Sequence, residues 1–259
     1  MDWILITTTT IAGLLIGSFL NVVVYRGPAM WGLVDDSARG TLAFPRSYCP
    51  ACKRQLSIGE LIPLLSYILS SGRCRSCSAP IKLRYPIIEL LGALAVLLAI
   101  YFFGFTVTAF SAAMLCWFLI ALAAIDLETG FLPDMLTLPL IFLGLAANGV
   151  DLFVPLKSAL IGAAAGYGSF RLIGELFLRL RGKEGLGQGD AKLLAALGAW
   201  LGWQALPIIV LAGSVSTLLV IVLSNAVESE SKDQEIPFGP GLCFGGAIAL
   251  IISAHLTGL

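Results

Sequence analysis

Charged side chains are scarce in this sequence: only 12% of its 259 residues are Asp, Glu, Lys or Arg, whereas 58% are hydrophobic. With a mean hydropathy of +0.93, the chain is too apolar to be a soluble domain of ordinary composition. The charges that are present sum to zero, so the balance does not indicate a nucleic-acid partner. Internal repeats and low-complexity tracts are also lacking. The composition therefore indicates a polytopic membrane protein.

Two common catalytic arrangements are missing as well. The chain has a single histidine, His255, and no Ser/His or Cys/His arrangement that would support nucleophilic catalysis. It also has no Gly-x-Gly-x-x-Gly sequence, so no Rossmann-type cofactor site can be located from the sequence. These absences leave the carboxylates as the main candidates for chemistry.

Eight apolar stretches approach the length that spans the ~30 Å hydrocarbon core as a helix. The first of them has no basic residue before it and no evident small-residue cleavage site, which predicts a retained helix rather than a signal peptide. The sequence thus predicts an all-α polytopic membrane protein with about eight transmembrane helices. The stretches lie near residues 3–25, 86–104, 107–125, 134–149, 155–178, 191–205, 207–224 and 238–257.

One long polar segment, residues 26–85, separates the first two apolar stretches and carries nine of the 16 Lys and Arg residues. By the positive-inside rule this segment faces the cytosol. We therefore expect three parts: a first transmembrane helix (1–25), a small cytosolic insertion (26–85) and a seven-helix membrane domain (86–259). Counting spans onward places the ends of the helices that carry Asp126 and Asp190 at the cytosolic face too.

Four of the six cysteines form two CxxC pairs, which predicts a zinc site in the cytosolic insertion. Each pair allows two thiolates to reach one tetrahedral ion, and a four-cysteine site with no open position is structural rather than catalytic. The alternatives are two disulfides or four free thiols, and a reducing cytosol argues against disulfides. The predicted ligands are Cys49, Cys52, Cys74 and Cys77.

Asp126 and Asp190 stand at the ends of apolar stretches, where a carboxylate is costly and is therefore a functional candidate. Two carboxylates that share a site do not both ionise easily, so one can activate water while the other donates a proton. This division of labour is that of an aspartic protease. From the dipoles of their own helices, we expect Asp190 to be more often the base and Asp126 the acid.

The second aspartate closes the sequence Gly187-Gln188-Gly189-Asp190. Gly187 and Gly189 permit close approach of the backbone, so Asp190 is predicted to lie near a substrate strand. The alternative is that Asp190 is simply a helix N-cap, because Asp is a preferred residue at that position. For Asp134, which follows Pro133, N-capping is the favoured interpretation.

Taken together, these residues resemble the bifunctional type IV prepilin peptidases, which are membrane aspartic endopeptidases. The resemblance runs nearly end to end, and the two catalytic aspartates of that family map onto Asp126 and Asp190. Besides the two CxxC pairs, the motifs that carry it are Gly17-Ser18-Phe19-Leu20-Asn21-Val22, Arg84-Tyr85-Pro86 with Glu89, Asp126 with Pro133-Asp134, Gly187-Gln188-Gly189-Asp190, and Pro237-Phe238-Gly239-Pro240.

The resemblance implies cleavage of type IV prepilins or pseudopilins after glycine, at the cytosolic face of the bacterial inner membrane. It also implies that the new N-terminus is methylated with S-adenosylmethionine as donor. The resemblance implies that the donor site lies in the cytosolic insertion or at its junction with the second span. The candidate residues there are Glu60, Arg84 and Glu89. For Glu89, snorkelling or pairing with Arg84 explains the residue equally well. Membrane lipid and prepilins are the expected partners, and nucleic acid is not.

Three other functions would also use some of these features. A proton-coupled transporter would also use intramembrane aspartates, but such carriers commonly show paired halves with interrupted helices near the midplane. A noncatalytic scaffold that binds partners through the zinc module would leave the aspartates unexplained. The sequence does not distinguish a single-function peptidase without methylation from the bifunctional enzyme, so this alternative stays open.

Overall fold

The computed structural model describes residues 3–36, 39–182, 187–227 and 237–257. Throughout these ranges the chain is helical apart from loops, and all eight apolar stretches are helices. The long helices are α1 (Trp3–Met30), α3 (Arg84–Phe103), α4 (Val107–Thr129), α5 (Asp134–Asn148), α6 (Leu156–Arg181), α7 (Gln188–Leu201), α8 (Leu206–Val227) and α9 (Gly239–Thr257), with a short α2 (Leu65–Leu69). The predicted all-α fold is confirmed.

Four of the described helical segments are long and apolar enough to cross a membrane: α1, α3, α4 and Trp203–Leu223, which contains a short 3₁₀ helix and most of α8. Two shorter apolar helical segments are α5 and Gly239–His255, which is most of α9. The helix α7 has only 14 residues and is buried along most of its length. The chain is therefore an integral membrane protein in which long helices accompany short, enclosed ones.

The chain divides into two compact units, residues 1–101 and 102–259. In the first, α1 and α3 pack closely through small residues, as membrane helices commonly do. A Cβ atom on Gly17 would lie 2.7 Å from the Glu89 Cα, and one on Gly92 would lie 2.7 Å from the Gly13 carbonyl oxygen. The buried Asn21 amide donates to the Tyr85 carbonyl at 3.0 Å and joins the same two helices.

In the second unit α7 is the central helix, and α5 is joined to it by polar side chains. The buried Asn148, at the end of α5, donates to the carbonyls of Ala199 and Trp200 at 2.8 and 2.9 Å. Its side-chain oxygen accepts from the backbone N–H groups of Phe153 and Val154. Because all these bonds are made away from water, Asn148 fixes the C-terminal end of α7.

Small residues also bring α6 against α7. A Cβ on Gly166 would lie 2.6 Å from the Leu194 carbonyl oxygen. The backbones of Gly162 and Gly198 are so close that a Cβ atom on either residue would overlap the backbone of the other. On the α5 side, the Trp200 indole donates to the Leu140 carbonyl at 2.8 Å. These contacts set the position of α7 along its own axis, and so the position of Asp190 in its first turn.

Candidate active site

Asp126 lies in the last turns of α4, and its side chain is buried with 5% exposure. The helix ends four residues later at Gly130, which adopts a left-handed conformation and donates to the Asp126 carbonyl at 2.8 Å. The Asp126 carboxylate itself accepts a hydrogen bond from the backbone N–H of Gly239, the first residue of α9. Helix N-termini favour negative charge. The start of α9 is thus a ready-made support for the Asp126 carboxylate.

Asp190 is the third residue of α7, so it is not the N-cap itself. Gly187 occupies that position, and its backbone N–H donates to the Asp190 carboxylate. An acidic side chain at the third position that reaches back to the N-cap N–H is half of a capping box. The N-cap alternative for Asp190 is therefore wrong, but its carboxylate does have a local structural role at the start of α7.

The carboxylates of Asp126 and Asp190 lie within electrostatic reach of each other, and their negative charges repel. Cys243, buried in α9, lies within reach of both. Three helix ends thus meet at one place: the end of α4 and the starts of α7 and α9. The sequence placed each aspartate at a helix end, whereas the contribution of α9 becomes visible only in the fold.

Leu132, in the loop between α4 and α5, is a residue that sequence reasoning missed. A Cβ on Gly189 would lie 2.8 Å from the Leu132 Cβ, and a Cβ on Gly239 would lie 3.2 Å from the Leu132 Cδ1. The leucine side chain therefore fills the space between the starts of α7 and α9, and both glycines leave room for it. An isolated leucine in an apolar chain gives no signal by which this role could have been found.

The prediction that Asp134 caps α5 is wrong. Pro133 is the N-cap, and Asp134 is the first helical residue. Its carboxylate instead accepts from the Lys192 ammonium at 2.6 and 2.7 Å. Because Lys192 lies two residues after Asp190 on α7, the ion pair joins the starts of α5 and α7. The Pro133 side chain has no oxygen, so α5 has no side-chain cap at its start. The Asp134 carboxylate forms an ion pair with another helix instead.

The four cysteines of the polar insertion come together in the first unit. All four sulfur atoms lie within 4.8 Å of one another, and the Cys49 and Cys77 sulfurs are 3.9 Å apart. A tetrahedral zinc ion with Zn–S bonds of ~2.3 Å separates its sulfurs by about 3.8 Å. None of the six cysteines is in a disulfide. The cluster is therefore compatible with zinc, and its geometry fits the structural type of site.

The two CxxC pairs are built alike. The Cys49 N–H donates to the Arg54 carbonyl and the Cys74 N–H to the Ala79 carbonyl, both at 2.9 Å. The residue after each second cysteine has a positive φ, 58° for Lys53 and 57° for Ser78. Each pair is thus a tight turn, or knuckle, that directs two sulfurs to one side. Backbone N–H groups of Cys77 and Ser76 lower the pKa of the Cys74 thiol to about 6, whereas burial and the neighbouring sulfurs raise the pKa of the Cys77 thiol to about 11, so the thiols titrate as a group.

Of the three donor-site candidates, Glu60 lines a cavity in the first unit. The cavity is open, has a volume of about 320 Å³ and is lined by Arg54, Ser57, Glu60, Arg75 and Ser76. Hydrogen bonds from the Ser57 backbone N–H and from the Arg54 guanidinium lower the pKa of the Glu60 carboxyl to about 2. Glu60 is therefore ionised at neutral pH, and the cavity combines one carboxylate with two guanidinium groups.

The other two candidates have local partners. The Arg84 guanidinium lies over the Tyr85 ring, 4.7 Å from its centroid. The Glu89 carboxylate, half-buried in the second turn of α3, accepts from the Leu64 backbone N–H at 2.8 Å and from Ser18. Both residues thus have structural contacts that explain their polarity without a ligand.

Comparison with known proteins agrees with this arrangement. Residues 11–103 match the bacterial peptidase A24 N-terminal domain, and residues 113–222 match the type IV leader peptidase family. No solved structure matches the chain.

Similar curated proteins carry the name prepilin leader peptidase/N-methyltransferase. That of Burkholderia pseudomallei strain 1026b is 47% identical over 93% of this chain and 83% of its own length. The protein of that name from Dickeya chrysanthemi is 46% identical over 93% of this chain and 90% of its own length. A third, from Pseudomonas aeruginosa PAO1, is 43% identical over 96% of this chain and 91% of its own length. With relatives of this identity along nearly its whole length, the chain belongs to the type IV leader peptidase family.

Proposed function

We propose that this protein is a membrane aspartic endopeptidase that removes the leader of type IV prepilins or pseudopilins and then methylates the new N-terminus. The observation that carries the peptidase half is the meeting of Asp126 and Asp190 at three helix ends. The names of the similar proteins support both halves. Cleavage after glycine, before the hydrophobic helix of the pilin, is the reaction that we assign to the pair.

In the proposed cleavage, one carboxylate is ionised and takes a proton from water as the water oxygen attacks the scissile carbonyl carbon. The other carboxyl group is protonated and donates its proton to the carbonyl oxygen. Collapse of the tetrahedral intermediate breaks the C–N bond, and the leaving nitrogen takes a proton from the pair. We assign Asp190 as the base and Asp126 as the acid. A backbone N–H group favours the ionised form of each carboxyl, that of Gly239 for Asp126 and that of Gly187 for Asp190, so the protons belong to the pair rather than to one residue.

For the methylation half, we propose that the donor binds in the cavity that Glu60 lines. S-adenosylmethionine, when bound, supplies an electrophilic methyl group. Its amino-acid end carries a carboxylate, which Arg54 and Arg75 complement, and an ammonium, which Glu60 complements. The new N-terminal ammonium of the pilin must lose a proton before its nitrogen can attack. Arg84 and Glu89 stay candidates for contacts outside this cavity.

We propose further that the four cysteines bind a structural zinc ion and that residues 26–85 face the cytosol. The charge distribution supports this side, since nine of the 16 Lys and Arg residues are in that segment. The three parts predicted from the sequence, 1–25, 26–85 and 86–259, remain our proposal for the functional domains. The bacterial inner membrane is the proposed location.

The direct test is an assay with the purified protein in lipid nanodiscs, a full-length prepilin and methyl-labelled donor. We expect a shortened pilin that carries the label on its new N-terminus. Cleavage without label would leave a single-function peptidase, and absence of both products from folded, zinc-loaded protein would contradict the proposal.

Gly239→Ala is expected to lower the turnover of leader cleavage about 100-fold, the cost of displacing a catalytic group by roughly 1 Å. The added methyl would overlap the Asp126 carboxylate and would lie 3.2 Å from the Leu132 Cδ1. Steady-state cleavage kinetics measure the effect. The matched control is Gly168→Ala in α6, where a Cβ meets nothing within 4 Å. Equal rates for the two variants would show that Asp126 does not need this close fit.

Arg75→Ala is expected to raise the KM for the methyl donor about 10-fold, the effect of losing one charge-assisted hydrogen bond, while leader cleavage is unchanged. Arg75 lines the cavity, whereas the nearby exposed Arg73 does not. Arg73→Ala is therefore the control, with zinc content measured in both variants because each arginine neighbours Cys74. A donor KM that does not respond to Arg75→Ala would place the donor elsewhere.

A further inference from the structure

The stretch from Ile58 to Leu69, which we call the apolar segment, exposes large hydrophobic side chains although it lies in the polar insertion. It comprises a 3₁₀ helix (Ile58–Leu61) followed by α2. Soluble surfaces expose single apolar residues, but six large apolar side chains exposed within twelve residues of sequence mark a surface that something covers. Its exposed members are Ile58 (78%), Leu61 (37%), Ile62 (46%), Leu65 (48%), Ile68 (70%) and Leu69 (64%).

The apolar segment is tied to a membrane-spanning helix. The Leu64 backbone N–H, between the two short helices, donates to the Glu89 carboxylate at 2.8 Å. Glu89 lies in the second turn of α3, where the backbone of α1 packs against it at Gly17. Leu64 has a φ of 59°, an uncommon conformation for a non-glycine residue. The chain is thus bent so that its turn reaches a residue already inside a span.

The distribution of charge along this part of the chain also fits a position at the depth of the first turns of α3. From Ser57 to Gly72 the only charged residue is Glu60, and it is paired with Arg54. Basic residues follow directly: Arg73, Arg75, Lys82 and Arg84. Apolar side chains beside a basic flank are typical of segments that lie in the interface of an anionic membrane.

We infer that the apolar segment lies in the interfacial layer of the bilayer, with lipid acyl chains covering its six exposed side chains. The exposed side chains of Ile87, Leu90 and Leu94 on α3, at 50, 56 and 44%, are covered by the same lipid as α3 crosses the membrane. The covered surface therefore continues from a span onto the insertion. Glu89 acts as a positioning residue that holds the turn at Leu64 at this depth.

The test uses the full-length protein in nanodiscs of phosphatidylethanolamine and phosphatidylglycerol, with a photoreactive diazirine amino acid at Ile68. Controls carry the same amino acid at Leu94, in a span, and at Gln55, an exposed polar position of the insertion. Mass spectrometry of the irradiated protein is expected to show lipid adducts at position 68 within about 2-fold of those at position 94. Position 55 is expected to give at least about 5-fold fewer.

Lipid adducts at position 68 as rare as at position 55 would overturn the inference. So would a shift of the adducts from lipid to prepilin when substrate is added, because the segment would then be a substrate surface. A second pair of variants tests the hydrogen bond. Glu89→Ala is expected to lower lipid adducts at position 68 at least 2-fold, whereas Glu89→Gln, whose amide oxygen still accepts from Leu64, keeps them. Equal yields in both would overturn the role of Glu89.

Discussion

Asp126→Asn and Asp190→Asn are each expected to lower the turnover of leader cleavage by about 10³-fold or more. Loss of general acid–base catalysis alone is worth about 10²–10⁴-fold, and members of one catalytic unit are not additive. The double variant should therefore be little worse than either single one. Asparagine has nearly the shape of aspartate but can neither ionise nor donate an acidic proton.

Both asparagine variants should keep the hydrogen bonds that the aspartates accept, so the loss of activity can be attributed to the loss of the carboxyl group. The amide oxygen of asparagine can still accept from the Gly239 N–H at position 126 and from the Gly187 N–H at position 190. Fold and zinc content should be retained, and methylation of a pilin that has already been cleaved should continue. Asp151→Asn, in an exposed loop of the same unit, is the control and should keep wild-type rates. Cleavage that survives either substitution in the pair would contradict the aspartic mechanism.

Removal of the cysteine cluster is expected to have the second large effect. Cys49→Ser with Cys74→Ser takes one ligand from each knuckle, and the zinc content should fall from one ion per chain to none. Apparent binding free energies of structural zinc are about 10–16 kcal/mol in small peptide sites, so much of the order in such a segment depends on the metal. Limited proteolysis should then cut within residues 39–83 of the variant and should leave the same residues intact in wild type.

The same double variant should separate the two activities. Arg75 and Ser76, which line the proposed donor cavity, lie between the proposed zinc ligands Cys74 and Cys77, so loss of the metal is expected to abolish methyl transfer. The aspartate pair lies in the other unit and should keep part of its cleavage activity. Cys116→Ser, at a cysteine of α4 outside the cluster, is the control. Full methyl transfer in a zinc-free protein would contradict both the metal's role and the position of the donor.

Helix positions were predictable because long apolar runs have few alternatives in a membrane, and the structure places a helix on each run. The cysteine cluster was predictable for a related reason, since the CxxC spacing already fixes the local turn. What the sequence could not show were contacts between distant residues. Nothing near Asp126 indicates Gly239 as its donor, and nothing near Glu89 indicates Leu64.

The error at Asp134 has the same origin. The local preference of aspartate for N-caps predicted that Asp134 caps α5. In the structure Pro133 is the N-cap, and Asp134 pairs with Lys192 on α7. Leu132 was missed because its role depends on two glycines, Gly189 and Gly239, that come near it only in the folded chain. Local patterns thus identified the candidate groups, and tertiary packing decided what each of them touches.

The N–H group that supports Asp126 belongs to α9, which the ribosome makes after the other helices of this unit. A nascent chain halted before Gly239 would contain both aspartates and all of α7, yet the Asp126 carboxylate would have no donor from α9. The order of synthesis therefore completes the surroundings of Asp126 last, after both carboxylates are already part of the chain.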